Sequence, residues 1–227
     1  DKYEKLRTIE MDESIRKSEI ARKKCQDSFQ EDFISKLKAL FDETKKEIKN
    51  LNNTLSSRQF NGETYEFIIN PSENKTFAQY YNIINSGEDF SKSSLFIDEL
   101  SEKNRQIMLE LFNKLALVND DKNEKVIQEY TDYRKYMSYD IKIHNQDGTC
   151  TLFSKVSTET SGGETQTPYY VTIAASFEQL LKANKRHSSS GCLVLFDEAF
   201  NNMDESRIEN MMKFYRDLNI QLIIAVP

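Results

Sequence analysis

Apolar side chains recur at three- and four-residue spacing through the first 58 residues, which contain no glycine and no proline. They form one stripe, which Thr44 completes: Phe29, Phe33, Leu37, Leu40, Ile48, Leu51 and Leu55. The stripe predicts one long helix, 1–58, with a narrow seam that needs a partner helix, as in one strand of a coiled coil. Such a helix would extend roughly 80 Å and protrude from a small domain. The alternative is a helical hairpin that turns near 26–32.

Shorter patterns follow in residues 59–227, which hold every glycine and proline of the chain. They predict, in order, a strand over 65–69, a helix over 95–117, a hairpin that turns at 146–149 and, after a loop rich in serine and threonine, a helix over 170–182.

The end of the chain has apolar runs on either side of an amphipathic segment. A strand over 191–196, a helix over 204–218 and a strand over 221–226 form a βαβ unit, whose strands should be parallel and covered on both faces. We therefore predict an α/β fold for 59–227, a parallel sheet with flanking helices, from which the helix 1–58 protrudes.

Composition narrows the class of protein. The net charge of −6 over 227 residues disfavours nonspecific binding of nucleic acid by the whole surface. No apolar run approaches the roughly 20 residues of a bilayer helix, and the first ten residues lack the features of a signal peptide. Cys25, Cys150 and Cys192 form no CxxC motif, which argues against a disulfide framework and a zinc site. We expect a cytoplasmic protein without membrane contact.

Two adjacent carboxylates follow the first strand of the βαβ unit. Asp197 and Glu198 come directly after an apolar run, so the fold should deliver both to the carboxyl edge of the sheet, where ligands bind. Mg²⁺ binds protein through one or two carboxylates and keeps water and phosphate ligands. Asp197 can hold such an ion, and Glu198 can orient or deprotonate an attacking water. Alone, the pattern fits a strand-end turn equally well.

A glycine pair about thirty residues upstream supplies a second element. The segment 160–164 reads Thr-Ser-Gly-Gly-Glu and precedes a predicted helix. Paired glycines let the backbone approach an anion, the Ser161 hydroxyl adds a donor, and a helix N-terminus favours negative charge. Ser-Gly-Gly alone is common in linkers. Its fixed order before a helix, an apolar strand ending in Asp-Glu, and then Asp204 favours an anion site.

In this order the chain resembles the carboxyl-terminal lobe of ABC-type ATPases of the SMC and SbcC kind. The signature motif of that family matches 161–164, its Walker B motif with the catalytic glutamate matches 193–198, and its D-loop matches 202–204. The family's lobe is joined to a long antiparallel coiled coil, which the helix 1–58 resembles. Further likeness to the SbcC/MukB-related proteins that include the JetC subunit of Wadjet plasmid-defence systems lies in 161–170 and 195–201.

The chain also departs from the family. It contains no Gly-x-x-x-x-Gly-Lys-Ser/Thr motif for the β- and γ-phosphates, so we expect a fragment whose Walker A loop lies on an amino-terminal lobe. Thr160 replaces the common leucine, and Glu164 replaces glutamine. The residues 223–227 show no switch histidine, so either this branch dispenses with it or the chain stops too early to show it.

The resemblance implies specific roles, cofactors and partners. The implied roles are metal binding by Asp197, catalysis by Glu198, relay between sites by Asp204, and contact with the γ-phosphate in trans by Ser161, Gly162, Gly163 and Glu164. The implied cofactors are ATP and Mg²⁺, with two heads that engage around two nucleotides and separate on hydrolysis. The implied partners are an amino-terminal Walker A lobe, a second head, DNA, and kleisin-like or nuclease subunits. An SbcC-type head working with a nuclease and an ATPase-inactive coiled-coil scaffold remain alternatives.

Other residues have simpler interpretations. His144 and His187 have no ligand at metal spacing, and we expect them at surface or turn positions. Tyrosines at 130, 133, 136 and 139 either form a stacking platform for nucleic acid or, as we expect, one helix face packed on the sheet.

Overall fold

The computed structural model describes residues 2–56, 59–86, 100–116, 123–159, 163–183, 192–197, 199–200, 203–217 and 220–225. Contacts divide the chain into two compact units. The first unit comprises Asp1–Glu43 and Pro71–Ser138, and the second comprises Thr44–Asn70 and Tyr139–Pro227. None of the described helices has the length and apolar composition needed to cross a membrane.

The helices and strands are given in chain order. The earlier ones are α1 (Lys2–Ser28), a π-helical segment (Phe29–Ile34), α2 (Ser35–Ser56), β1 (Thr64–Pro71), α3 (Lys75–Ser86), α4 (Glu102–Ala116), α5 (Asn123–Thr131) and a 3₁₀ turn (Tyr133–Tyr136). The later ones are β2 (Met137–His144), β3 (Cys150–Leu152), α6 (Phe153–Glu159), α7 (Gly163–Ala183), β4 (Cys192–Asp197), α8 (Glu205–Asp217) and β5 (Ile220–Ala225).

The long amino-terminal helix is confirmed over 2–56, and the alternative of a hairpin near 26–32 is wrong. In place of a turn, the chain forms the π-helical segment there. The seam differs from the predicted one, since Ile34 and Phe41 are fully buried whereas Phe33 and Leu40 are only partly buried. The wider π turn inserts a residue into the helical repeat, which accounts for this shift.

The seam from Phe29 to Phe41 is covered by aromatic rings of the first unit. Phe41 lies 5.1 Å from Tyr81 and 5.5 Å from Tyr136 between ring centroids, and Phe29 lies 5.4 Å from Phe112. This part of the helix therefore buries its apolar seam within its own unit, without a partner helix. Residues 11–25 of α1, in contrast, are all exposed.

The tyrosine series at 130–139 does not form one helix face, contrary to the prediction. Asp132 follows α5, and its side chain accepts a hydrogen bond from the Arg134 amide at 3.2 Å, which starts the 3₁₀ turn. Tyr136 is fully buried, and its hydroxyl donates to the Tyr130 carbonyl at 2.7 Å. Tyr139 is exposed on β2. Tyr136 therefore serves the core of the first unit.

Two other predicted boundaries are wrong. The helix predicted over 95–117 begins at Glu102, where the Ser101 hydroxyl accepts a hydrogen bond from the Asn104 amide at 3.4 Å, as an N-cap does. Residues 95–99 lie outside the described residues. The predicted loop rich in serine and threonine contains α6, and α7 begins at Gly163, seven residues before the predicted start.

The strand before Pro71 and the hairpin are confirmed. Strands β1, β2 and β3 form a three-stranded sheet in that order. β2 and β3 are antiparallel, with three partners in register: Lys142 with Leu152, Ile143 with Thr151, and His144 with Cys150. The buried positions Ile141 and Ile143 alternate with more exposed ones, so one face of this sheet is polar.

The predicted βαβ unit is also confirmed. β4 and β5 are parallel, and their register runs from Cys192 opposite Ile220 to Asp197 opposite Ala225, with α8 between the strands in sequence. Val194 and Ile220 are buried in the core of the second unit.

The other face of the parallel pair is exposed, contrary to the prediction that both faces would be covered. Leu193, Leu195 and Ile223 have relative exposures of 51%, 68% and 51%. Alternation along β4 places Leu193 and Leu195 on the side opposite Val194. The described part of the chain therefore leaves an apolar face of this two-stranded sheet in contact with solvent.

Candidate functional site

The carboxyl end of β4 carries one of the predicted site residues. Asp197 is the last residue of the strand, and its side chain is exposed. Its pairing with Ala225 of β5 fixes the backbone up to this position. The Asp197 carboxylate thus lies at the carboxyl edge of a parallel pair, while Glu198 lies outside the described residues.

The predicted anion-binding segment is described in part. Gly163 and Glu164 form the start of α7, whereas Ser161 and Gly162 lie outside the described residues. The first backbone amides of a helix have no intrahelical acceptor and carry partial positive charge. The 21-residue helix α7 begins at the second glycine of the Ser-Gly-Gly sequence, so its amino terminus coincides with the predicted anion-binding segment.

Tyr170 connects the beginning of α7 with the end of β4. It lies two helical turns beyond Gly163, and its ring centroid is 5.6 Å from that of Phe196 and 4.7 Å from that of Phe200. Its hydroxyl oxygen accepts a hydrogen bond from the Phe200 amide at 3.2 Å. The two segments that carry the predicted site residues are thus joined by one buried side chain.

Phe200, two residues after the carboxylate pair, has an unusual backbone conformation. Its φ is 66°, in the left-handed region that bulky side chains rarely adopt. The side chain is buried, and its carbonyl accepts a hydrogen bond from the Met203 amide at 3.0 Å. Packing on Tyr170 and these hydrogen bonds hold the strained residue in place, which restricts the turn that follows Asp197.

Tyr215 of α8 completes the group that we call the Tyr170 cluster: Tyr170, Phe196, Phe200 and Tyr215. The Tyr215 hydroxyl donates to the Tyr170 carbonyl at 3.0 Å, and its ring lies 5.7 Å from that of Phe196. Burial is the main cause that raises the pKa of Tyr215, and the nearby Tyr170 raises it further. The Tyr215 hydroxyl therefore stays a neutral donor. No sequence motif indicates this cluster; the only available signal is the recurrence of aromatic residues near the two motifs.

Asp204 occupies the N-cap of α8. Its Oδ1 accepts a hydrogen bond from the Arg207 amide at 2.9 Å, and its Oδ2 lies 3.2 Å from Arg207 Nε. Its carbonyl accepts from the Ile208 amide at 3.0 Å. Both carboxylate oxygens thus stabilise the helix start, a role that the sequence analysis did not assign to this residue.

A polar cavity of about 380 Å³ lies in the second unit beside the starts of α7 and α8. In the lining, the Tyr65 hydroxyl donates a hydrogen bond to Glu63 Oε2 at 2.6 Å. Burial is the main cause that raises the pKa of Tyr65, and this hydrogen bond raises it further. Arg207, also in the lining, contacts Asp204. Asp197 is not among the lining residues, so the cavity is separate from the predicted metal position.

Asp197 is the predicted metal ligand, and it lies within the described residues. Within the described ranges, no three His, Cys, Asp or Glu side chains come together as a metal site. One exposed carboxylate fits Mg²⁺, which binds few protein ligands and takes the others from water and phosphate.

A family model matches part of the chain. Residues 128–217 match the family model described as SbcC/RAD50-like, Walker B motif. The matched segment, less than half of the chain, includes β2 through α8 and therefore Asp197 and Asp204. The match supports interpretation of this part as the carboxyl-terminal region of an SMC/SbcC-like ABC ATPase. No curated protein matches the chain.

Proposed function

We propose that the chain is the carboxyl-terminal part of the head of an SMC/SbcC-like ATPase that binds and hydrolyses ATP by head engagement and acts on DNA. The observation that carries this proposal is the position of Asp197 at the carboxyl end of β4, within the segment that matches the Walker B family. The likeness of 161–170 and 195–201 to the JetC group makes plasmid defence the biological setting we favour over general genome maintenance.

Each predicted site residue has a defined role in this proposal. When bound, ATP would supply the phosphoanhydride that is hydrolysed, and Mg²⁺ would neutralise negative charge on its phosphate oxygens. Asp197 holds the metal ion, and Glu198 orients the attacking water. The segment 161–164 contacts the γ-phosphate of a nucleotide held by the opposite head, aided by the amides at the start of α7. Asp204 relays between the two sites.

A separate Walker A lobe completes the proposed head. The chain contains no Walker A motif, and among the residues that the structure describes the β4–β5 pair exposes an apolar face at Leu193, Leu195 and Ile223. Parallel sheets are normally covered on both faces. We assign the amino-terminal Walker A lobe of the same protein as the occupant of this face, because it would supply both the missing cover and the missing phosphate loop.

The decisive experiment reconstitutes the head by co-expressing the chain with the segment of the same protein that carries the Walker A motif. ATP hydrolysis should appear only with both segments. Glu198→Gln should reduce turnover by about 10²–10⁴ and trap engaged dimers, as loss of a general base does. Glu209→Gln, an exposed position on α8, is the matched control and should leave turnover unchanged. Unchanged hydrolysis in Glu198→Gln would contradict the assignment.

A second variant tests the signature segment. Ser161→Arg should block head engagement while ATP binding by the reconstituted head persists, because the added side chain obstructs the partner's γ-phosphate. Ser157→Arg places the same group on the exposed surface of α6 and should permit engagement. Equal dimerisation of Ser161→Arg and the wild type would remove the signature assignment.

Purification of the full-length protein from its source tests the proposed partners. A second head and kleisin-like subunits are the expected components, and DNA should stimulate hydrolysis. A copurifying nuclease would favour an SbcC-type head instead. A reconstituted head that binds its partners but never hydrolyses ATP would favour an inactive scaffold.

A further inference from the structure

A carboxylate, an imidazole and a thiol lie in a row on the polar face of the β1–β2–β3 sheet. His144 Nε2 lies 3.1 Å from Glu66 Oε2, and His144 Nδ1 lies 3.2 Å from Cys150 Sγ. The three residues come from three different strands of the second unit. The imidazole therefore bridges the acid and the thiol through its two nitrogens.

The hairpin fixes the second of these contacts. His144 and Cys150 are direct partners in the β2–β3 register, so their side chains share one face. The turn between them is closed by hydrogen bonds from the Gly148 amide to the Asn145 carbonyl and from the Asn145 amide to the Thr149 carbonyl, at 3.1 Å and 2.9 Å. Gly148 has a φ of 83°, which glycine adopts without strain.

The order of the groups determines which way a proton can move. The Glu66 carboxylate accepts a hydrogen bond from Nε2–H, which leaves the lone pair of Nδ1 directed at the thiol. His144 can then take the thiol proton, and the thiolate is the nucleophilic form of cysteine. The Cys150 side chain is exposed, and His144 and Glu66 are 37% and 45% exposed, so a reagent in solution can reach the sulfur.

We propose that Cys150 is a modification site for small disulfides, with His144 as its base and Glu66 as a positioning residue. The Cys150 thiolate attacks one sulfur of the disulfide, a new sulfur–sulfur bond forms, and the original one breaks. The departing thiolate carries away the electron pair and takes the proton from His144. Cys150 is oxidised to a mixed disulfide, and the departing thiol is reduced.

The surroundings favour sulfur exchange over acyl transfer. Acyl transfer needs free amide donors for an oxyanion. The nearest turn amides are already used, since the Gly148 amide donates to Asn145 and the Thr149 amide donates to Asp147 Oδ1 at 2.9 Å. Thiol–disulfide exchange passes through no oxyanion, so the array suits this reaction.

The chain carries its own control thiol. Cys25 is also exposed, on α1, beside Lys23 and Lys24 but outside the hairpin. Two variants of the chain each keep one of the pair: Cys25→Ser with Cys192→Ala keeps Cys150, and Cys150→Ser with Cys192→Ala keeps Cys25. Reaction with dithionitrobenzoate near neutral pH should be about tenfold faster at Cys150, because a free cysteine is only a few per cent thiolate there. In denaturant the two rates should converge.

Substitutions of the base and of the positioning residue test the mechanism. In the variant that keeps Cys150, His144→Gln should remove the rate advantage. Lys142→Gln, on the same face and strand, is the matched control for a change in local charge and should retain the advantage. Circular dichroism and urea unfolding verify that each variant is folded.

Glu66 has a readout that a purely structural role would not change. The ¹⁵N shifts of the His144 imidazole, in a His187→Gln background that leaves one histidine, should show the proton on Nε2. Glu66→Leu should redistribute it between the nitrogens and slow the reaction, whereas Glu66→Asp should partly preserve both.

Oxidised glutathione tests the modification itself. Mass spectrometry of the intact chain incubated with it should locate the glutathionyl group on Cys150 before Cys25, and a reductant should remove it. Equal rates at the two cysteines in the folded chain, or equal loss in His144→Gln and Lys142→Gln, would overturn the proposal.

Discussion

The hydroxyl oxygen of Tyr170 accepts a hydrogen bond from the amide of Phe200, thirty residues further along the chain, at 3.2 Å in a buried environment. One residue of α7 thereby holds the turn that follows the predicted metal ligand. A substitution at Tyr170 should therefore alter the conformation of the chain at the end of β4.

Tyr170→Phe removes this acceptor and leaves the Phe200 amide buried without it. We expect a loss of about 1–3 kcal/mol in the free energy of unfolding, the cost of an unpaired buried donor. Urea denaturation measures it. Tyr169→Phe is the matched control, because Tyr169 is adjacent and 61% exposed, and it should change stability little. Equal effects of the two substitutions would show that the hydrogen bond contributes nothing.

Substitutions at Phe200 separate backbone strain from packing. Phe200→Ala should destabilise the chain by about 3–5 kcal/mol through lost burial. Phe200→Gly loses the same packing, but glycine adopts the left-handed φ without strain, so it should be no less stable than the alanine variant. At ordinary helix or strand positions the glycine variant is the less stable one. Thermal unfolding of both variants decides the order, and a more stable alanine variant would argue against the strained conformation.

Asp204→Ala tests the capping role apart from the proposed relay role. Loss of the N-cap should cost about 1 kcal/mol of stability, whereas Asp204→Asn should retain most of it because its side-chain oxygen still accepts from the Arg207 amide. Asp217→Ala, at the other end of α8, serves as the control and should have almost no effect. Reduced ATP turnover in the stable Asp204→Asn variant of a reconstituted head would support the relay. Turnover that only follows stability would leave capping as its role.

The Thr149 hydroxyl and amide bind the Asp147 carboxylate and lower its pKa. A carboxylate with a lowered folded-state pKa stabilises the fold above its unfolded pKa of about 3.9, and this contribution is lost as the pH falls through the folded value. The difference in unfolding free energy between the wild type and Asp147→Asn should therefore shrink from neutral pH to below about pH 4. Urea titrations at a series of pH values measure it. Thr149→Val should weaken this pH dependence and Thr149→Ser should preserve it; a pH-independent difference would contradict the assignment.

Local pattern predicted most of the second unit because the signals there are short-range. The segments 191–196 and 221–226 have the length of strands, and the helix predicted between them requires that the strands be parallel. The exposure of Leu195 could not be predicted, because an apolar strand residue does not reveal whether another element lies opposite it.

Contacts between distant segments accounted for what the sequence could not show. The predicted turn at 146–149 identified the hairpin, but the three-residue turn closed by Gly148 sets the register and so places His144 opposite Cys150. Likewise, nothing near Tyr170 in sequence indicates that its hydroxyl meets Phe200. Both arrangements arise from tertiary packing, which residue periodicity does not reveal.

The π-helical segment at Phe29–Ile34 puts the two parts of the amino-terminal helix out of phase. The one inserted residue rotates the side chains of 35–43 by about 100° relative to those of α1, so a heptad count continued across the segment assigns side chains to the wrong side. A second helix packed along 11–25 would consequently lie on a different side of the amino-terminal helix from the aromatic rings that contact Phe29 and Phe41. The ring contacts at Phe29 and Phe41 therefore leave the side along 11–25 available to a partner helix.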